Sequence, residues 1–164
     1  MVRIDGEIVI DRPAAEVFDF VVDERNEPSY NPRIARAEKL SPGPIGRGTR
    51  FRAESAAVGR TVEMMIEITA YERPRRFDSA IRMAAADIQG GLRFDPLPAG
   101  TRMRWAWEVR LRGGYKLLRP IIAYAGRRQE QATWASLKRY LDARRDLGTE
   151  APLAARRSGA AGAA

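Results

Sequence analysis

At 164 residues the chain has room for one ordinary domain, enough to bury a core or wall in a cavity, and leaves little for a second. Hydrophobic residues make up 45% and charged residues 30%, interleaved rather than blocked, which excludes a disordered chain. Cysteine and histidine are both absent, which excludes disulfides, thiol nucleophiles, the usual zinc ligands and the commonest acid/base side chain, so neither metal nor cofactor is expected.

The first residues, Met1-Val-Arg-Ile-Asp-Gly-Glu, lack the apolar core of a signal peptide, and no 18-residue apolar run follows, so a soluble, cytoplasmic protein is expected. From Ile4 to Asp11 the residues alternate, with Ile4, Ile8 and Ile10 opposite Arg3, Asp5 and Glu7, as a strand with one wet face requires. Asp11 or Arg12 then precedes a Pro suited to a first helical turn, and Val17, Phe18 and Val21 fall at helical spacing. The two prolines of Asp23-Glu-Arg-Asn-Glu-Pro-Ser-Tyr-Asn-Pro allow only a brief helical turn there.

Arg33 to Leu40 reads as a second strand, closed by the turn-rich Ser41-Pro-Gly-Pro-Ile-Gly-Arg-Gly. Phe51, Ala53 and Ser55 share one face of the next strand, and Val62, Met64, Ile66, Ile68 and Ala70 one face of the strand after. Phe77, Ser79, Ile81 and Met83, then Ile88, Gly90, Leu92 and Phe94, continue the pattern. The clearest alternation is the last, with Met103, Trp105, Trp107, Val109 and Leu111 opposite a row of arginines. Beyond Gly113-Gly114 the chain is helical to about Arg145, with Ile122, Ala123, Gly126, Glu130, Thr133, Leu137, Tyr140 and Leu141 on one arc. Residues 1–146 therefore form the expected domain, and residues 147–164 a disordered Ala/Gly/Arg tail.

This order predicts an α+β fold, a seven-stranded curved antiparallel sheet around one long C-terminal helix, with two short helices between strands one and two. The chain resembles the START-like, or SRPBCC, superfamily of polyketide cyclase/dehydrase-type helix-grip proteins. The similar segments are Ile10-Asp-Arg-Pro-Ala-Ala-Glu-Val-Phe-Asp-Phe-Val-Val, the segment Asp23 to Pro32, and Trp134-Ala-Ser-Leu-Lys-Arg-Tyr-Leu. Many relatives carry Trp where this chain has Tyr30, which alters a contact at the cavity edge and not the fold. The resemblance implies a ligand cavity and, by analogy, a flexible cavity-mouth loop at Gly43-Pro-Ile-Gly-Arg-Gly; it does not fix an activity.

Gly126, Gln129, Glu130 and Thr133 thin the helix where it crosses the sheet, which points to a cavity; the competing expectation is that Trp105 and Trp107 fill that space. Candidate lining residues are Phe18, Tyr30, Phe51, Met64, Ile66, Ile81, Leu92, Met103, Trp105, Trp107 and Ile122, together with those four. Glu130 is the one candidate acid/base, because an inward carboxylate loses hydration and its pKa rises; the alternatives are that it pairs with an arginine or reaches the rim. No phosphate loop, dinucleotide fingerprint, metal-ligand spacing or nucleophilic serine motif is present.

Carriage of a small hydrophobic molecule such as a lipid, polyketide or aromatic compound is the leading expectation. A cyclase or dehydratase using Glu130 and a tyrosine is the first alternative, and an interaction module without a cavity the second. The net charge of +8 is spread over strand faces, helix and tail without a Lys/Arg cluster, so it reads as a solvated surface on a monomer or homodimer, with no specific nucleic acid.

Overall fold

The computed structural model describes residues 1–57 and 60–149. Seven strands form one antiparallel sheet: β1 (Val2–Ile10), β2 (Ile34–Lys39), β3 (Arg50–Ala57), β4 (Arg60–Glu72), β5 (Arg76–Arg82), β6 (Ala86–Leu97) and β7 (Gly100–Leu111). Their order across the sheet is β1-β7-β6-β5-β4-β3-β2, a meander closed by the first strand crossing to pair with the last. Helix α1 (Ala14–Val21) and a 3-10 helix at Glu24–Ser29 lie between β1 and β2. A second 3-10 helix at Gly113–Leu118 leads into α2 (Arg119–Thr149), which crosses the concave face. This is the helix-grip arrangement expected from the alternation. The helix runs to Thr149 rather than to about Arg145, and the tail expected at residues 147–164 lies outside the described residues from 150 onward.

Local chemistry adjusts two of the expected elements. Pro13 occupies the position before α1 instead of its first turn, and Glu16 of that first turn is held by Arg12 at 2.6 Å. In β4 a bulge between Ile68 and Ala70 inserts one residue, which reverses the inward parity beyond it. Tyr71, not Ala70, therefore turns inward, where its ring meets Phe18 edge-on at 5.2 Å.

The inner face is packed unequally along its length. At one end Ile10, Phe51, Ile68, Phe94 and Met103 are fully buried beneath α1 and the C-terminal half of α2, whose Leu137 is also fully buried. Phe18 joins this end edge-on to Phe94 at 5.2 Å. At the other end Ile4, Val109, Ile88 and Met83 form a smaller cluster beneath Ala123 of α2. The convex face is charged and cross-linked by ion pairs: Asp78 bridges Arg76 at 2.6 Å and Arg93 at 2.5 Å, Asp87 holds Arg112 at 2.6 Å, and Asp95 holds Arg104 at 2.8 Å.

Candidate functional site

The loosely packed end of the sheet holds a partly open chamber of about 500 Å³ between its concave face and α2. Cross-strand register explains the space. One row across the sheet runs Ile4, Trp107, Gly90, Ser79, Ile68, so the middle of the floor carries only a serine and a glycine. The adjoining row, Val109, Ile88, Ile81, Ile66, supplies an apolar bed. Val62, Met64 and Ser55 continue that wall along the β3–β4 hairpin.

The roof is α2, and its middle is where the polar chemistry sits. Glu130 reaches inward, and its Oε2 accepts hydrogen bonds from the indole N–H of Trp107 at 3.0 Å and of Trp134 at 2.9 Å. Its Oε1 accepts none among the described residues. Burial pushes the Glu130 carboxyl up to about 7; the two indole donors pull against that shift, and the charge of Glu27 adds to it. One side wall comes from the 3-10 helix after α1, which brings Glu24, Glu27, Tyr30 and Asn31 to the chamber. Asn31 donates to Glu27 Oε1 at 2.7 Å.

Burial raises the carboxyl of Glu24 well above the usual range, reinforced by the charge of Glu27, with which it shares a hydrogen bond. Burial also raises Glu27, against the hydrogen bonds from Asn31 and Glu24. Both residues are half-buried, because the surface they keep opens onto the chamber. The Tyr30 phenol is pushed well above its usual value, first by burial and then by the charges of Glu27, Glu24 and Glu130.

Of the candidates drawn from the sequence, Tyr30, Met64, Ile66, Ile81, Leu92, Trp107, Gln129, Glu130 and Thr133 line this chamber. Six do not. Phe18, Phe51 and Met103 are fully buried at the packed end, because α1 and the far half of α2 cover that end completely. Trp105 lies over β1, where a Cβ at Gly6 would collide with its indole ring, and packs 6.0 Å from Trp134. Gly126 does not leave room for a ligand: a Cβ there would stand 2.5 Å from Ile4 Cδ1, so the missing side chain lets α2 settle onto β1. Ile122 is half-buried on the helix outside the chamber. Of the two tryptophans, Trp107 lines the chamber, whereas Trp105 packs over Gly6 of β1, outside it.

The loop at residues 43–48 does not border the chamber either. Lys39 ties it at the carbonyls of Ser41 and Gly43, and the Gly48 N–H donates to the Ile68 carbonyl at 2.8 Å, at the packed end. Sequence reasoning missed Glu24, Glu27, Asn31, Ser79 and Trp134 as chamber residues. A signal for part of this existed: a 3-10 helix repeats every three residues, so Glu24, Glu27 and Tyr30 stack on one edge.

A larger concavity of about 830 Å³ lies on the convex face, where Gly91, Ala106, Ala80 and Thr69 make a dip rimmed by Arg3, Asp5, Asp78, Arg93 and Arg104. Its rim is charged, and Asp78 and Arg93 there are already paired with each other. Among the described residues no His, Cys, Asp and Glu group could hold a metal ion, and no helix is long and apolar enough to cross a membrane.

Residues 1–142 match the family described as polyketide cyclase / dehydrase and lipid transport, and the chain belongs to that family. A comparison with curated protein sequences gives no match. Among solved structures the chain is similar to TTHA0849 from Thermus thermophilus, at 19% identity and a TM-score of 0.74, over 86% of this chain and 97% of that one. It is also similar to a START superfamily protein from Mycobacterium smegmatis, at 14% identity and a TM-score of 0.73, over 85% and 97%. The Zhui aromatase/cyclase from Streptomyces sp. R1128 gives 13% identity and a TM-score of 0.71, over 93% and 97%. These likenesses establish the START-like helix-grip fold.

Proposed function

We propose that the protein takes up a small, largely apolar molecule in the chamber between the sheet and α2 and carries or sequesters it. The observation that carries this reading is the chamber itself: about 500 Å³, floored by Ile66, Ile81, Ile88 and Val109, with its carboxyls confined to α2 and the 3-10 helix after α1. Ligand sites are built in this way, an apolar enclosure with a few polar groups that fix orientation. Membership of a family described by polyketide cyclization, dehydration and lipid transport supports the same reading.

One observation favours a second reading, a cyclase or dehydratase. Glu130 is held near neutrality by burial and fixed by two indoles, which suits a group that gives and takes protons beside a bound carbonyl. The neighbouring Tyr30 phenol stays protonated and is a second donor.

Native mass spectrometry of the full chain, with uptake of the neutral fluorophore aminoanthracene, tests the first reading. The expected result is a co-purified small molecule or saturable uptake, abolished in Ile81→Trp, which fills the floor. Only the bare protein mass, together with no uptake, overturns it. Retained uptake but lost turnover in Glu130→Gln would favour the enzyme.

A further inference from the structure

The three carboxyls of the chamber have an unusual electrostatic position. The chain has 29 Lys and Arg residues, yet among the described residues none forms an ion pair with Glu24, Glu27 or Glu130, and Arg33 is the one basic residue in the described lining of the chamber. Elsewhere Asp19, Asp23 and Asp78 are each held below the usual carboxylate range by an arginine. Burying an ionized carboxylate without a counter-ion is unfavourable, and pairing with an opposite charge offsets that cost.

Three further features point the same way. Glu130 uses only Oε2 to satisfy the two indoles, so Oε1 is left to accept from a ligand. Tyr30, Trp107 and Trp134 all line the chamber, Tyr30 and Trp134 stacked at 6.3 Å, and aromatic rings attract organic cations. On the floor, Ser79 is 2% exposed, lines the chamber, and its Oγ has no hydrogen-bond partner among the described residues. Among the described residues these carboxyls do not make up a group that could hold a metal ion. Carboxylates spread around an aromatic-walled chamber suit a larger cation of low charge density.

We propose that the molecule held in this chamber carries a protonated amine, its apolar body on the β-sheet floor and its ammonium group among Glu24, Glu27 and Glu130. The inference rests on the uptake reading above and names the ligand class of that same site. The titratable and charged groups facing the ammonium are Glu24, Glu27, Tyr30 and Arg33 from the segment after α1, Tyr115 from the second 3-10 helix, and Glu130 from α2. The strands contribute no charged side chain to the described lining. Amine binding draws the raised carboxyls toward ionization and so releases protons.

The test is competition against aminoanthracene on the full chain with two shape-matched probes, naphthylethylamine and naphthylethanol. At about pH 8 the amine is expected to bind about tenfold or more tighter than the alcohol, equivalent to about 1.4 kcal/mol. Calorimetry in buffers of different ionization enthalpy should show proton release for the amine and none for the alcohol. Glu27→Gln and Glu130→Gln should each cut the preference about threefold or more, read as the ratio of amine to alcohol affinity within the same variant. As pH falls through about 7, where the Glu130 carboxyl takes up its proton, the preference should decline.

Equal binding of both probes, or alcohol binding that strengthens in acid without an amine preference, overturns the amine assignment and leaves the uptake reading standing. No binding of aminoanthracene or of either probe overturns both.

Discussion

The two ends of the concave face are built from the same kind of strand and end up as opposites. At one end Phe51, Ile68, Phe94 and Met103 are sealed by α1 and by Trp134, Leu137 and Leu141 of α2. At the other end the same helix only roofs the sheet, and its outer side leaves Ile121 65% and Tyr124 69% exposed. A single helix thus anchors the fold with one half and covers a chamber with the other. The difference teaches that inward apolar alternation specifies a face to be covered, while the shape of the covering element decides whether that face becomes core or cavity.

Substitutions that load the two ends separately sharpen this contrast. Leu137→Ala, at the sealed end, removes a fully buried side chain and should cost about 2–5 kcal/mol in urea unfolding; a cost well under 1 kcal/mol would mean that α2 is not anchored there.

Glu130→Gln, at the chamber, should act through pH. In the folded state the Glu130 carboxyl is raised from 4.5 to about 7, so its favourable contribution is complete below the unfolded value and lost as pH rises through the folded one. Between about pH 4 and pH 8 that loss amounts to about 3 kcal/mol, and the variant, which never ionizes, should be more stable than the native chain by up to that amount at about pH 8. Calorimetric melting at both pH values reads it; identical pH dependence in the two chains would remove Glu130 as a buried acid. Smallest of all, Ile121→Ser on the open half of α2 should shift stability by less than about 0.5 kcal/mol, and a larger loss would show that this exposed apolar stretch is covered in solution.

Much of the chamber was readable from single residues, and what was not has identifiable causes. Trp107, Ile81 and Met64 alternate inward, and Glu130 and Thr133 lie on the inner arc of the last helix, so their direction follows from periods of 2 and 3.6. Phe51 and Met103 obey the same period and still miss the chamber, since periodicity says which way a side chain points and not how far along the strand the helices reach. Trp105 was misdirected by a neighbour distant in sequence: the gap that receives its ring is at Gly6, 99 residues earlier and opposite it in the β1–β7 register. Glu24 and Glu27 were passed over because a short, proline-bearing segment gives no helical wheel to read.

The sequence by itself determined seven strands with one greasy face, a long closing helix and the lack of His and Cys, because these follow from local periodicity and composition. Tertiary structure alone decided that Ser79 and Gly90 fall side by side on the floor, that Gly126 serves β1 rather than a ligand, and that Glu24, Glu27 and Glu130 face one chamber. Those outcomes depend on register and on docking between segments some 100 residues apart, which no window along the chain contains.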